Sequence, residues 1–386
     1  MEQRESRRLD PPRVRRVQEA IESEIATGRC DGVALFVDVD GKSALELIAG
    51  HADRAAGRPL RADDVFVSLG IGKQFTNAVV LSAIEAGALS LFTQAADLLP
   101  CFAGSAWRGM SVAQLLCSTS GVLPEIPPVP SEVLLDTARL SAFAAARGPQ
   151  FPPGSRVHDG GLAAQAVLAE ILRTVDGGSR DVGEILRREL FEPLGMRDTS
   201  LGHREDLMAR LCPLVSCHEG PSLMEPRLPD IARLAVSTPG ACLPAGGYLL
   251  TLPDLRRFVR MLGNHGALDG VRILSPAMIA LCGRNHTGSL PDELFDPACA
   301  RRGWQTWPAC RGLGFLVRGE ALIPGPLPAL ASAGAMGGWG AGSTAFWCDP
   351  MRGVSFGLLS SGLMDDASHL QRVQRLSDSL LSSLTC

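Results

Sequence analysis

Val14, Val17, Ile21 and Ile25 recur three or four residues apart in PRVRRVQEAIESEIAT (12–27), with charged residues between them. That period places them on one face and predicts an amphipathic helix. The runs VALFVDV (33–39) and ALELIA (44–49) predict two strands, and the Asp40-Gly41 pair between them is a strong hairpin signal. A polar loop leads to a short strand near 65–68. From 70 to about 260 the pattern is mainly helical, with apolar-faced segments at 73–87, 111–117, 131–147, 161–175, 182–192 and 254–263, and a further helix at 275–282. Pro- and Gly-rich stretches such as RGPQFPPGS separate them. Strand patterns return at 313–318, 330–336, 343–348 and 353–359, with a turn at 349–353, and an amphipathic helix closes the chain at 366–384. No internal repeat appears. This order predicts a split α/β layer with a helical insertion and a site in the cleft between the layers.

Composition narrows the classes. The chain has 386 residues and a formal net charge of -4, with no basic stripe, so nucleic acid is not an expected partner. No apolar run approaches a membrane span. The charged first residues, MEQRESRRLDPP, carry no apolar leader, which gives an expectation of a cytoplasmic protein. The 11 cysteines are scattered without a Cys-x-x-Cys, and no His/Asp/Glu cluster has ligand spacing. Reduced, mostly buried thiols and no metal or other cofactor are expected. Arginine almost replaces lysine: only Lys42 and Lys73 occur, and Tyr248 is the single tyrosine.

Several segments, in order along most of the chain, carry a resemblance. They are GHADRAAGRPLRADDVFVSLGIGKQFTNAVVLSAIEAGALSL, DLLPCF followed by SVAQLLCSTSGV, FEPLGMRDTSLG, PAGGYLLTLPDLRRFVRML, and GGWGAGSTAFWCDPMRGVSFGLLS. Together they resemble the serine β-lactamase and penicillin-binding-protein-like family, in its class C β-lactamase, esterase and D-alanyl-D-alanine peptidase group. The resemblance implies an α+β fold: an antiparallel sheet flanked by N- and C-terminal helices, with an inserted, mainly helical domain. Residues 10–68 and 245–386 would form the sheet domain and 69–244 the insertion, with the active-site cleft between them.

The family's chemistry rests on three motifs. The first, Ser-x-x-Lys, puts a nucleophile and a lysine one helical turn apart on one face. Here it reads Gly70-Ile71-Gly72-Lys73, and glycine offers no nucleophile. The second, Tyr-x-Asn after a Pro-Gly loop, moves protons to the leaving group. Here Pro-Pro-Gly-Ser-Arg-Val is followed by His158-Asp159-Gly160, so either His158 or Asp159 takes the tyrosine position. The third, a Lys- or His-led edge-strand motif, becomes Met336-Gly337-Gly338, and a thioether donates nothing useful. The resemblance thus implies a member without acyl-serine chemistry.

Lys73 stands out because an arginine would keep the charge and could not act as a base. Its readings are a base, an acid, a Schiff-base amine or a fixed cation, against an inherited lysine bonded to loop carbonyls. His158 and Asp159 are an acid/base pair or a surface turn before Gly160. Ser68 is a displaced nucleophile or a helix cap, with the cap favoured. Ser118 and Thr119 close a loop beside the cleft, and Cys117 next to them reads as an inert thiol. Trp339, following the third motif, and Trp304 and Trp307, in a stretch (284–311) that could cover the site, would line a pocket made less polar by Met336, or simply pack. Three functions follow in order: a repurposed small-molecule enzyme with Lys73-centred acid/base chemistry (isomerisation, elimination or cyclisation) in bacterial secondary metabolism; a non-catalytic ligand- or protein-binding protein; and an esterase or acyltransferase with a displaced nucleophile. A small molecule is the expected partner in the first.

Overall fold

The computed structural model describes residues 8–123, 126–219 and 226–385, so the first seven residues of the charged N-terminal stretch lie outside the described residues. Helix α1 (Pro11–Ala26) leads into β1 (Gly32–Val39) and β2 (Lys42–Asp53). Asp40 (φ 50°) and Gly41 (φ 74°) both take the left-handed conformation of a two-residue hairpin turn. Strands β3 (Arg58–Pro59) and β4 (Val65–Val67) follow, then helix α2 (Lys73–Glu85). The helical stretch contains α3 (Thr137–Arg147) and α4 (Gly161–Val175), then β5 (Ser200–Leu201), β6 (Tyr248–Thr251) and α5 (Leu252–Gly263). A small hairpin of β7 (Ala267–Leu268) and β8 (Val271–Arg272) precedes β9 (Leu316–Val317), β10 (Met336–Gly340), β11 (Thr344–Asp349), β12 (Val354–Ser361) and α6 (Asp366–Leu381).

The main sheet has the order β3-β2-β1-β12-β11-β10-β9, and its pairs are antiparallel. Side chains alternate across it. Val33, Leu35 and Val37 of β1 join Trp347, Phe356 and the α1 and α6 residues Ile21 and Leu376 on one face. Ala34 and Phe36 pack with Phe258, Phe346 and Leu359 on the other. Cover on both faces explains the unbroken apolar run of β1. Its polar member, Asp38, is buried and neutralised by Arg256 (Nε–Oδ1 2.9 Å) and Arg260, both on α5. A line of edge-to-face rings, Phe191–Phe75–Phe258–Phe346, joins the helical layer to the sheet, with centroid separations of 5.6, 4.8 and 5.7 Å.

Several expected elements differ. The helix expected over 131–147 breaks at Leu135, because Asp136 caps a new helix by accepting the Arg139 N–H at 2.9 Å. The strand expected at 330–336 begins only at Met336. Tyr248–Thr251, read as part of the helical stretch, is the middle strand of a second sheet ordered β4-β6-β5. A four-residue strand too short to show alternation is decided by its neighbours. Among the described residues no helix is long and apolar enough to cross a membrane.

Candidate active site

The first motif is held by its neighbours rather than by its own helix. Ser68 N–H bonds the Tyr248 carbonyl at 2.8 Å, Leu69 N–H bonds the Gly246 carbonyl at 3.1 Å, and the Ser68 carbonyl accepts from Thr344 Oγ1 at 2.8 Å. Between these anchors Leu69 sits at φ 48°, a strained conformation for a side-chain-bearing residue. Gly70 follows under the end of β10. A Cβ there would collide with the Trp339 carbonyl oxygen and lie 3.2 Å from Gly340 Cα. Gly72 is likewise closed by the Tyr248 ring. Tyr248 itself is fully buried and bonds Thr76 Oγ1 at 2.6 Å, and burial pushes its hydroxyl well above the usual range, so the single tyrosine belongs to the core.

Lys73 opens α2 and ion-pairs with Asp159. Asp159 Oδ1 also accepts the Gly161 N–H at 2.9 Å, at the start of α4. Burial alone would raise the Asp159 carboxyl. The Lys73 and Arg311 charges, the Lys73 hydrogen bond and the Gly161 N–H together outweigh it and hold the carboxyl below the ordinary carboxylate range. Of the two candidates for the tyrosine position, Asp159 is the one that reaches Lys73. His158 is fixed by its N–H to the Ser118 carbonyl (3.0 Å) and by Nδ1 to the Asp159 carbonyl (3.0 Å). A carbonyl only accepts, so Nδ1 carries a hydrogen, and Nε2 is the ring nitrogen left to exchange a proton with a ligand.

These groups line a cleft of about 600 Å³, within the range of small-molecule sites. Gly70, Lys73, Ser118, His158, Asp159 and Trp339 come together there. The stretch 284–311 does reach the cleft, lining it through Glu293, Leu294, Phe295 and Arg311. It docks on the second motif through the Glu293 N–H to the Val157 carbonyl (3.2 Å) and the Arg156–Glu293 pair (2.6 Å).

The remaining candidates lie elsewhere. Ser68 is fully buried and its hydroxyl bonds the Gly246 carbonyl at 3.0 Å, so it is neither a nucleophile in the cleft nor a helix cap. Trp304 and Trp307 pack on each other (6.0 Å between centroids), and Trp307 backs Phe295 from outside the cleft. Met336 points into the core with Phe346, while Gly337 and Gly338 are filled over by Phe346 and Gln74. None of these six lines the cleft; of the β10 residues Met336 to Gly340 only Trp339 does, with Met336 on the opposite face of the strand. Burial pushes the Cys117 thiol up to about 12, with Arg311 opposing, which leaves it an unreactive thiol at neutral pH.

The sequence reading missed Arg311, Gln74, Asn77 and Gln165, all cleft-lining. Arg311 pairs with buried Asp292 at 2.6 Å, and burial raises the Asp292 carboxyl against the pull of Arg311. Asn77 and Gln165 had a signal, as polar residues amid apolar helix stretches (FTNAVVL and AAQAVLA). Arg311 had none, since a loop gives no period. Among the described residues no group of three or more His, Cys, Asp or Glu could hold a metal ion.

Known proteins resemble this chain in sequence and fold. The chain is 32% identical to penicillin-binding protein 4 of Amycolatopsis lactamdurans over 295 residues, covering 73% of each chain. It is 25% identical to the esterase/beta-lactamase LipL of Mycobacterium tuberculosis over 387 residues, covering 92% of this chain and 82% of LipL. The fold superposes on a penicillin-binding protein homologue from Caulobacter crescentus with a TM-score of 0.76 at 24% identity, over 96% of this chain and 99% of that one. The Beta-lactamase family pattern matches residues 17–378. With the split sheet, the lysine at the head of α2 and the cleft between the layers all in place, the chain belongs to the β-lactamase family, with penicillin-binding-protein and esterase relatives.

Proposed function

We propose that this chain is a small-molecule enzyme of the β-lactamase fold that works without an acyl-serine, through acid/base chemistry centred on Lys73. One observation carries the reading: Lys73 and Asp159 form an ion pair in the cleft beside Gly70, where the Trp339 carbonyl leaves no room for a nucleophilic side chain. Held in an ion pair with Asp159, Lys73 acts as a hydrogen-bond donor and acid in this reading, not as a free amine base. His158 Nε2 is the base. It removes a proton next to a substrate carbonyl while the Lys73 ammonium stabilises the oxyanion that forms. Return of the proton to another carbon completes an isomerisation. Departure of a β-leaving group that takes the electron pair and a proton completes an elimination. Attack of the enolate carbon on a second carbonyl of the same substrate, whose oxygen takes up the proton, completes a cyclisation. The partner is a small molecule, and the setting is cytoplasmic bacterial secondary metabolism.

The relatives' names bring hydrolysis as the rival, since esterase/beta-lactamase is printed for LipL. Gly70 and the burial of Ser68 count against it. A second rival, binding without turnover, draws support from the depressed Asp159 carboxyl, which makes that group a weak base. The deciding experiment has two arms. Intact-mass spectrometry after a β-lactam, an activated ester and a fluorophosphonate should show no adduct. Proton NMR in D2O with a panel of carbonyl compounds should show exchange next to the carbonyl that is lost in Lys73→Ala. A site-specific adduct returns hydrolysis to first place, and exchange that persists in Lys73→Ala removes the lysine's role. Absence of exchange across the panel favours binding without turnover.

A further inference from the structure

Three carboxamides meet at the base of the cleft. Gln74 and Asn77 come from α2 and Gln165 from α4, and all three are more than nine-tenths buried and line the cavity. Their hydrogen bonds form one directed chain. The Gly314 carbonyl accepts from Gln74 Nε2 at 3.2 Å and from Asn77 Nδ2 at 2.9 Å. Asn77 Oδ1 then accepts from Gln165 Nε2 at 3.2 Å. Amide orientation is ordinarily open to a flip. Here the backbone carbonyl settles it, because a carbonyl only accepts. Both α2 amides must turn nitrogen towards Gly314, which leaves Asn77 an oxygen for Gln165.

The chain therefore ends in two oxygens, Gln74 Oε1 and Gln165 Oε1. Neither has a hydrogen-bond partner among the described residues. Two glycines make the arrangement possible. Gly314 stands at φ 77°, and a Cβ there would lie 2.7 Å from Asn77 Cβ. A Cβ on Gly338 would collide with Gln74 Oε1. Buried acceptors without donors are uncommon and call for an explanation. Both oxygens are shielded from bulk solvent, and the soft terminal torsion of a glutamine lets each rock towards the cleft.

We propose that this amide floor is a subsite for a nitrogen headgroup presenting two N–H bonds, a primary amide or a primary amine. The proposal rests on the reading above only in calling that ligand a substrate. One hydroxyl hydrogen serves a single acceptor, a tertiary nitrogen serves at most one, and an anion meets two oxygens and is repelled. The floor thus selects for donors at the end of the cleft opposite in character to the Lys73 ammonium, which selects for an acceptor such as a carbonyl. A ligand with a carbonyl near one end and an NH2 group at the other fits both.

Saturation-transfer NMR on the full chain tests this with four probes: benzamide, N,N-dimethylbenzamide, benzylamine and N,N-dimethylbenzylamine. A primary compound should show at least fivefold more transfer than its dimethyl partner. Benzamide leading identifies a neutral amide, and benzylamine leading identifies an ammonium. Gln74→Leu and Gln165→Leu should each erase the preference. Gln165→Glu keeps acceptor oxygens at similar size and should shift it towards benzylamine, which keeps the test decisive if the leucine variants do not fold. Proton exchange with the carbonyl panel is read apart from this preference, so a failure of the acid/base reading is seen separately. Equal transfer within each pair, no transfer from either primary compound, persistence in the leucine variants, or no shift in folded Gln165→Glu overturns the proposal.

Discussion

Gly70 shows how one missing Cβ organises this cleft. The backbone of 68–70 is held by β6 and β11, and Leu69 is strained to turn the chain beneath Trp339. Gly70→Ser cannot simply restore a nucleophile, because its Cβ meets the Trp339 carbonyl, a backbone atom with little freedom to retreat. The variant should lose about 1–3 kcal/mol by overpacking, measured by urea unfolding, and should gain no acyl adduct by intact mass. Asp159 makes a second prediction. Its carboxyl is depressed in the folded chain, so it contributes stability above the ordinary carboxylate value of about 3.9, and that contribution is lost as pH falls through the lower folded value. Asp159→Asn should be less stable than the native chain at neutral pH, and the gap should narrow as pH drops below about 4. Unfolding at pH 7, 5, 4 and 3 checks this, and a gap independent of pH would refute the ion-pair account.

Among the elements, short helices depend on caps more than on period. Asp136 ends the segment before it and starts α3 by satisfying the Arg139 N–H. Asp136→Ala should cost about 1 kcal/mol, read as a shift in the urea midpoint without a change in slope. The strands show the same division between pattern and context. The runs in β1 and β12 were legible because both faces of a central strand are buried, and the Asp40-Gly41 turn set the hairpin of β1 with β2. In β10, five residues reading Met-Gly-Gly-Trp-Gly carry almost no pattern, and their place comes from pairing with β11. That pairing sends Met336 to the core and Trp339 to the cleft, which is why the first was misplaced by reading it as a pocket residue.

Across the whole molecule, the helical layer and the sheet share one apolar cluster that runs from Leu140 and Leu168 through Phe75 to Phe346. The second sheet adds backbone bonds between β4, β6 and β5. The two layers should therefore unfold together. Trp107, bonded to the Ala145 carbonyl at 3.0 Å, reports on the helical layer, and Trp347, bonded to Ser377 Oγ at 2.8 Å, reports on the sheet. Variants keeping only one of these indoles should show coincident urea transitions when each is compared with its own circular dichroism. A separate, earlier transition for Trp107 would show that the cleft divides two independent units.

By itself the sequence determined the long helices and the central strands of the main sheet, the hairpin, the family and the positions of its motifs, because period, turn residues and motif spacing are local properties of a chain. It also marked Lys73, through a scarcity of lysine that composition alone displays. The tertiary structure decided what those positions do. It chose Asp159 over His158 as the partner of Lys73, buried Ser68, turned Trp304 and Trp307 away from the cleft, and brought Arg311 and the three carboxamides into it. These outcomes depend on which atoms from distant segments come within a few ångströms of each other, and that is set only when the layers close.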